Sequence, residues 1–226
     1  MKTVLKYLLF TFGVLICGSC NVDDDDDAKT HYQFNSENND LIINYNYQIG
    51  QTITYQNQDG EQIHFKVILN ETKKQGDYVA GTFSGGSGGL SHYYDSKIIR
   101  FEIIENQNYE RNGIVNYIFS KNFDKLNNGI NFPMWNISNF AFIDEIQNPA
   151  NIIMSDFNNQ TKAQMTINNH TYKKVVEIES GSNDEYLNSS YGTISKNVNK
   201  VFYDYDFGII QFDDINGKEW KLIYPE

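Results

Sequence analysis

Apolar and polar residues alternate with a period of two in several short runs of this chain. Ile63, Phe65, Val67 and Leu69 interleave with Gln62, His64, Lys66 and Ile68, the pattern of a strand that buries one face. Ile99, Phe101 and Ile103 share a face in the same way, as do Val201, Tyr203, Tyr205 and Phe207. Between the runs stand Asp59-Gly60, Asn112-Gly113, Asn168-Asn169 and Asn216-Gly217, pairs suited to tight turns because glycine and asparagine tolerate positive φ. Strands are therefore predicted over 52–55, 62–69, 77–83, 97–105, 114–120, 165–167, 172–178, 201–207, 209–212 and 220–223. In the seventh of these, Val176 and Ile178 are expected on one face, with Val175 and Glu177 on the other. Short strands between turn signals predict a mainly β fold, an antiparallel sandwich or curved open barrel with at most one or two short helices.

Other stretches break the rhythm. Ser84–Gly89 reads SGGSGG, a hairpin tip. It lacks the GxxxxGK[ST] or strand-bounded GxGxxG spacing that would cradle phosphates. At its exit, His92, Tyr93 and Tyr94 are candidate ligand contacts. Asn127-Asn128-Gly129 reads as a turn, and a short helix is expected within Asp144–Phe157, interrupted by Pro149. Trp135, Phe140 and Phe142 form a dense aromatic group, a sugar-stacking platform if it faces water and core filling if it does not. There is also an internal echo. Tyr55 stands four residues before Asp59-Gly60 as Phe212 stands before Asn216-Gly217, with a further strand after each, so the two hairpins obey one turn chemistry.

The first residues follow a different pattern. Lys2 and Lys6 precede the apolar run Tyr7–Ile16, and Gly18-Ser19 leads to Cys20. Positive, apolar and small in that order describe a secretory signal peptide, and the run falls short of the roughly 20 residues a membrane-spanning helix needs. Cys17-Gly18-Ser19-Cys20 resembles a bacterial lipoprotein lipobox, with Cys17 where that family most often has leucine. The resemblance implies cleavage after Ser19 and acyl chains on Cys20, which tether the chain to a membrane. Two or three chains make a stable anchor where one is marginal. Asp23–Asp27 follows at once and resembles the acidic export tract of Bacteroidota surface lipoproteins, which implies display on the outer face of the outer membrane. Physically, five adjacent carboxylates repel one another and keep a tether extended. They lack the alternate spacing and glycine of a calcium loop, so no metal is expected there. The expected organisation is a leader over 1–19, a lipidated and polar tether over 20–40, and one β-rich domain over 41–226. The two hairpins described above also resemble those at the ends of uncharacterised Bacteroidota lipoproteins, a likeness that implies no activity.

Charge and composition narrow the function. The net charge is −11, with no basic patch to neutralise phosphates, so nucleic acid is not an expected partner. Aromatic residues make up 15% of the chain, in keeping with strands. Once Cys17 leaves with the leader and Cys20 is acylated, no thiol remains for a disulfide. His31, His64, His92 and His170 show no HxxxH or HExxH spacing for zinc, and there is no GxSxG elbow. No cofactor or catalytic residue is assigned. Asp204, Asp206, Asp213 and Asp214 offer carboxylates that a glycosidase would need about 5–10 Å apart, or simply an exposed acidic face.

Three functions stand on this reading. The first is a surface-exposed, lipid-anchored, non-catalytic domain that binds a glycan or a protein. The second is a periplasm-facing lipid carrier of half-barrel form, in which Phe101, Ile103 and Tyr203 line an apolar void. The third is a carboxylate-dependent hydrolase.

Overall fold

A strand with one apolar face is stable only when that face is covered, and this chain covers its strands by curling one sheet. The computed structural model describes residues 29–81, 88–105, 113–135, 151–181, 183 and 197–225. In these residues the strands are β1 (His31–Tyr32), β2 (Thr52–Gln56), β3 (Gln62–Val79), β4 (Gly89–Ile103), β5 (Ile114–Asn122) and β6 (Lys125–Asn131). They continue with β7 (Asn151–Ile153), β8 (Ala163–Ile167), β9 (His170–Glu179), β10 (Val198–Asp204), β11 (Gly208–Asp214) and β12 (Glu219–Ile223). The only helical elements among the described residues are single 3-10 turns at Ser36–Asn38 and Met154–Phe157.

The sheet order is β7-β6-β5-β4-β3-β2-β12-β11-β10-β9-β8. Each arm is a run of antiparallel hairpins, and the arms join where β2 pairs with β12, Tyr55 opposite Leu222. The result is one curled antiparallel half-barrel, so the curved open form holds and the sandwich does not. Its free edges are β7 and β8, neighbours in the sequence but not in the sheet. β1 adds to β4 in parallel, so the chain joins the fold at His31, ahead of Leu41.

Large inward side chains fill the concave face. Phe101 lies between Tyr47 and Tyr117, with ring centroids 5.0 and 5.3 Å away, and Tyr117 meets Tyr203 at 6.1 Å. Buried phenols need partners, and backbone supplies them. Tyr47 donates to the Phe207 carbonyl, Tyr55 donates to that of Ile209 at 2.8 Å, and the Tyr117 oxygen accepts the Ile209 amide at 3.1 Å. Phe101, Ile103 and Tyr203 are thus buried side chains of this packed core.

Several local expectations are corrected. β3 and β4 run on as a long ribbon through Lys73-Lys74-Gln75 and His92–Asp95, where the sequence has no alternation to mark a strand. Asn127-Asn128-Gly129 lies inside β6, and the hairpin turns instead at Phe123-Asp124, with Phe123 at φ 53°. Val175 is buried along with Val176 and Ile178, because a bulge in β9 shifts its register against β8. Leu69 follows a bulge too, and neighbouring Ile68 is exposed. Residues 144–150, most of the 180–195 loop, 84–87 and Asn112 lie outside the described residues.

The echoed hairpins pack side by side in the sheet. The Asn57 side-chain oxygen accepts the amides of Asp59 and Glu61, and the Asp214 carboxylate accepts those of Asn216 and Lys218. Gly60 and Gly217 complete the turns at φ 83° and 76°, and Lys218 reaches back to Glu61 at 2.6 Å.

Candidate functional site

One open groove gathers aromatic faces and polar groups from four separated segments. Its first wall begins at the β8–β9 hairpin. Asn168 and Asn169 adopt φ of 47° and 67°, which reverses the chain in two residues and delivers His170 and Tyr172 at the start of β9. The second wall is the β10–β11 turn, which carries Asp206 and Phe207. The segment before β2 closes over that turn, because the amides of Asn44 and Tyr45 both donate to the Asp206 carbonyl, at 3.0 and 2.8 Å. Last, Tyr224 follows β12 and lays its ring on the His170 imidazole, with centroids 3.7 Å apart and planes 10° from parallel.

The groove holds about 330 Å³, within the range of small-ligand sites. Tyr45 lines it as well, and the buried Tyr172 and Phe207 lie at its floor. At the polar rim, Asp206 Oδ1 accepts Lys174 Nζ at 2.9 Å and Asn44 Nδ2 at 3.0 Å, and Lys174 also pairs with Asp40 at 2.9 Å. Lys173 lines the same opening. Beneath it, Tyr172 is 4% exposed and its hydroxyl has no hydrogen-bond partner among the described residues. Burial, reinforced by Tyr224 and Asp204, pushes that phenol well above the ordinary tyrosine range. The hydroxyl stays protonated at neutral pH and is available as a donor.

The four aspartates considered for hydrolysis have other work. Asp204 is buried, and its carboxylate accepts the amides of Lys174, Asp206 and Phe207, each at 3.0 Å. Asp214 holds its hairpin, and Asp206 is tied to Lys174 and Asn44. Asp213 takes a hydrogen bond from Gln211 at 2.8 Å, and burial raises its pKa above the carboxylate norm. Among the described residues no three His, Cys, Asp or Glu side chains come together to hold a metal.

The sequence-predicted contacts do not meet in this groove. Trp135 is 8% exposed and makes an isolated parallel bridge to Val198, so it fills the core instead of offering a stacking face. His92 is buried between Tyr32 and Phe123, with ring centroids 5.1 and 5.0 Å away. Tyr93 lies under Lys74 Nζ at 3.6 Å, and Tyr94 donates to Gln75 at 2.9 Å. All three are on β4, where Tyr93 points to the opposite face from His92 and Tyr94. Cys20 and Phe140 lie outside the described residues. Sequence reasoning passed over His170, which reads as a turn residue, and Tyr224. Nothing local marks either, since 54 positions separate them.

Comparison of the chain with protein-family models, curated proteins and solved structures finds no match.

Proposed function

We propose that this chain is a lipid-anchored envelope protein, displayed on the cell surface, whose β domain is a non-catalytic receptor for a saccharide. Cys20 and the Asp23–Asp27 tract support the anchor and its outward display. The stacked pair His170 and Tyr224 carries the ligand reading. It gives the groove a flat aromatic surface against which the apolar face of a sugar ring packs. Asn44, Lys173 and Asp206 at the rim supply donors and acceptors for hydroxyl groups, as sites that orient small polar ligands do.

The packed interior around Phe101 and Tyr203 gives a lipid carrier no support, and the engagement of Asp204 and Asp214 with backbone amides gives a hydrolase none. The test is a glycan array probed with the mature chain and with Tyr224→Ala. Binding to a defined saccharide class that Tyr224→Ala loses is expected. An array without signal, or one that Tyr224→Ala leaves intact, rules the groove out.

A further inference from the structure

Two strands run on together past their other partners, with exposed apolar side chains at their far described end. The ladder between β2 and β3 ends near Val67, and that between β4 and β5 ends at the pair Ser96 and Ser120. From Lys74 opposite Asp95 to Val79 opposite Gly89, β3 has β4 as its ladder partner and no other among the described residues. At the end of this ribbon Tyr78 is 73% exposed and Val79 59%. The described residues flanking the tip, Tyr78–Gly81 and Gly88–Ser91, carry no charge, whereas Lys73, Lys74, Asp77 and Asp95 stand further back along the ribbon. Leu90 and Tyr78 also crowd Gly76, where a Cβ would lie 2.7 Å from the leucine methyl and 3.0 Å from the tyrosine ring. Tyr78 and Leu90 therefore pack against the bare face of Gly76.

The direction of the N-terminal segment says what this tip meets. β1 runs parallel to β4, His31 beside Tyr93 and Tyr32 beside Tyr94, and the Tyr93 amide donates to the Thr30 carbonyl at 2.8 Å. β4 starts on the tip side, so in a parallel pair Thr30 and Lys29, just ahead of His31, run back towards it. Only nine positions separate Lys29 from Cys20, a reach of at most about 30 Å. A membrane that holds Cys20 is thus within reach of the tip side of the domain.

We infer that Tyr78 and Val79 seat in the surface of the membrane that holds the acyl chains of Cys20, so the domain stands on its β3–β4 ribbon. This rests on the anchor reading above. Tyrosine suits the site because its ring is apolar and its hydroxyl stays at the headgroup level. Two side chains are too few to recruit a protein from solution, but the tether makes their insertion intramolecular, at an effective concentration near millimolar. The ribbon also acts as a spacer. Beyond the β4–β5 ladder, from Lys74 to Val79, it extends about 17 Å at the rise of a strand.

The test uses the full mature, acylated protein carrying Val79→Cys, labelled with a polarity-sensitive nitrobenzoxadiazole dye. Cys17 leaves with the leader and Cys20 is acylated, so the label is unique. The protein is reconstituted into phosphatidylethanolamine–phosphatidylglycerol vesicles. The expected result is blue-shifted emission, quenched by nitroxide on the lipids and abolished by Tyr78→Asp. A Gln58→Cys label in the β2–β3 turn, at the far side of the sheet from Val79 along β3, keeps its aqueous emission. If the Val79 label stays aqueous while the mass confirms acylation, the inference is overturned and the anchor stands. A mass without acyl chains removes the anchor and the inference with it. A blue shift already present in acyl-free Cys20→Ala protein without vesicles assigns the tip to a contact between protein chains, which also overturns the inference.

Discussion

The ring of Tyr117 fills the space a side chain on Gly208 would need. A Cβ there would stand 2.8 Å from the ring, and the Tyr117 oxygen accepts the amide of the next residue, Ile209. Gly208 also holds φ at 108°, outside what other residues readily adopt. Gly208→Ala is expected to cost about 2–4 kcal/mol from the clash and the backbone strain together. Urea denaturation of the two proteins measures it.

The echoed hairpins make a more selective prediction. Asn57 shows that an amide side chain can do in one turn what the Asp214 carboxylate does in the other. Asp214→Asn is therefore expected to leave stability within about 0.5 kcal/mol, whereas Asp214→Ala strips two amides of their acceptor and costs about 1–3 kcal/mol. Paired denaturant midpoints separate the two.

Alkali is expected to unfold the domain sharply. Burial holds the phenols of Tyr47, Tyr55 and Tyr203 well above the ordinary value of 10.0 and pushes that of Tyr205 up to about 12. The folded state thus keeps protons that the unfolded chain gives up. This stabilisation is complete below pH 10 and is lost as pH rises through the folded-state values. Phenolate absorbance is expected to rise in two stages, exposed tyrosines first and the buried group together with the loss of circular dichroism. A single smooth titration at the ordinary value would contradict the packing.

Protease added to intact cells is expected to remove the full-length protein while a periplasmic control survives. Protection in cells that remain intact would reduce Asp23–Asp27 to a spacer and withdraw the outward display.

How far the sequence could be read follows from the range of the forces involved. The hairpins at Asp59-Gly60, Asn168-Asn169 and Asn216-Gly217 were legible because turn and flanking strands are local. The choice between sandwich and curled sheet was not, since it depends on β2 pairing with β12 across most of the chain. The ribbon was hidden because Glu71–Gln75 is polar on both faces and is held by its ladder to β4, not by burial. Asn127-Asn128-Gly129 misled because its composition suits a turn, while the partners of β5 and β6 set the reversal at Phe123-Asp124. The groove was illegible for the same reason as the topology. His170 and Tyr224 become neighbours only once the sheet has curled.

The most direct test of the receptor reading watches the His170 ring by nuclear magnetic resonance during titration with neutral hexoses, N-acetylhexosamines and uronic acids at millimolar concentration. The account predicts a saturable shift of the His170 ring signals with at least one of these classes. It also predicts affinity about tenfold weaker in Tyr224→Ala, which removes one stacking face. Should none of them move His170, or should Tyr224→Ala bind as tightly as the parent, the groove is not a saccharide site.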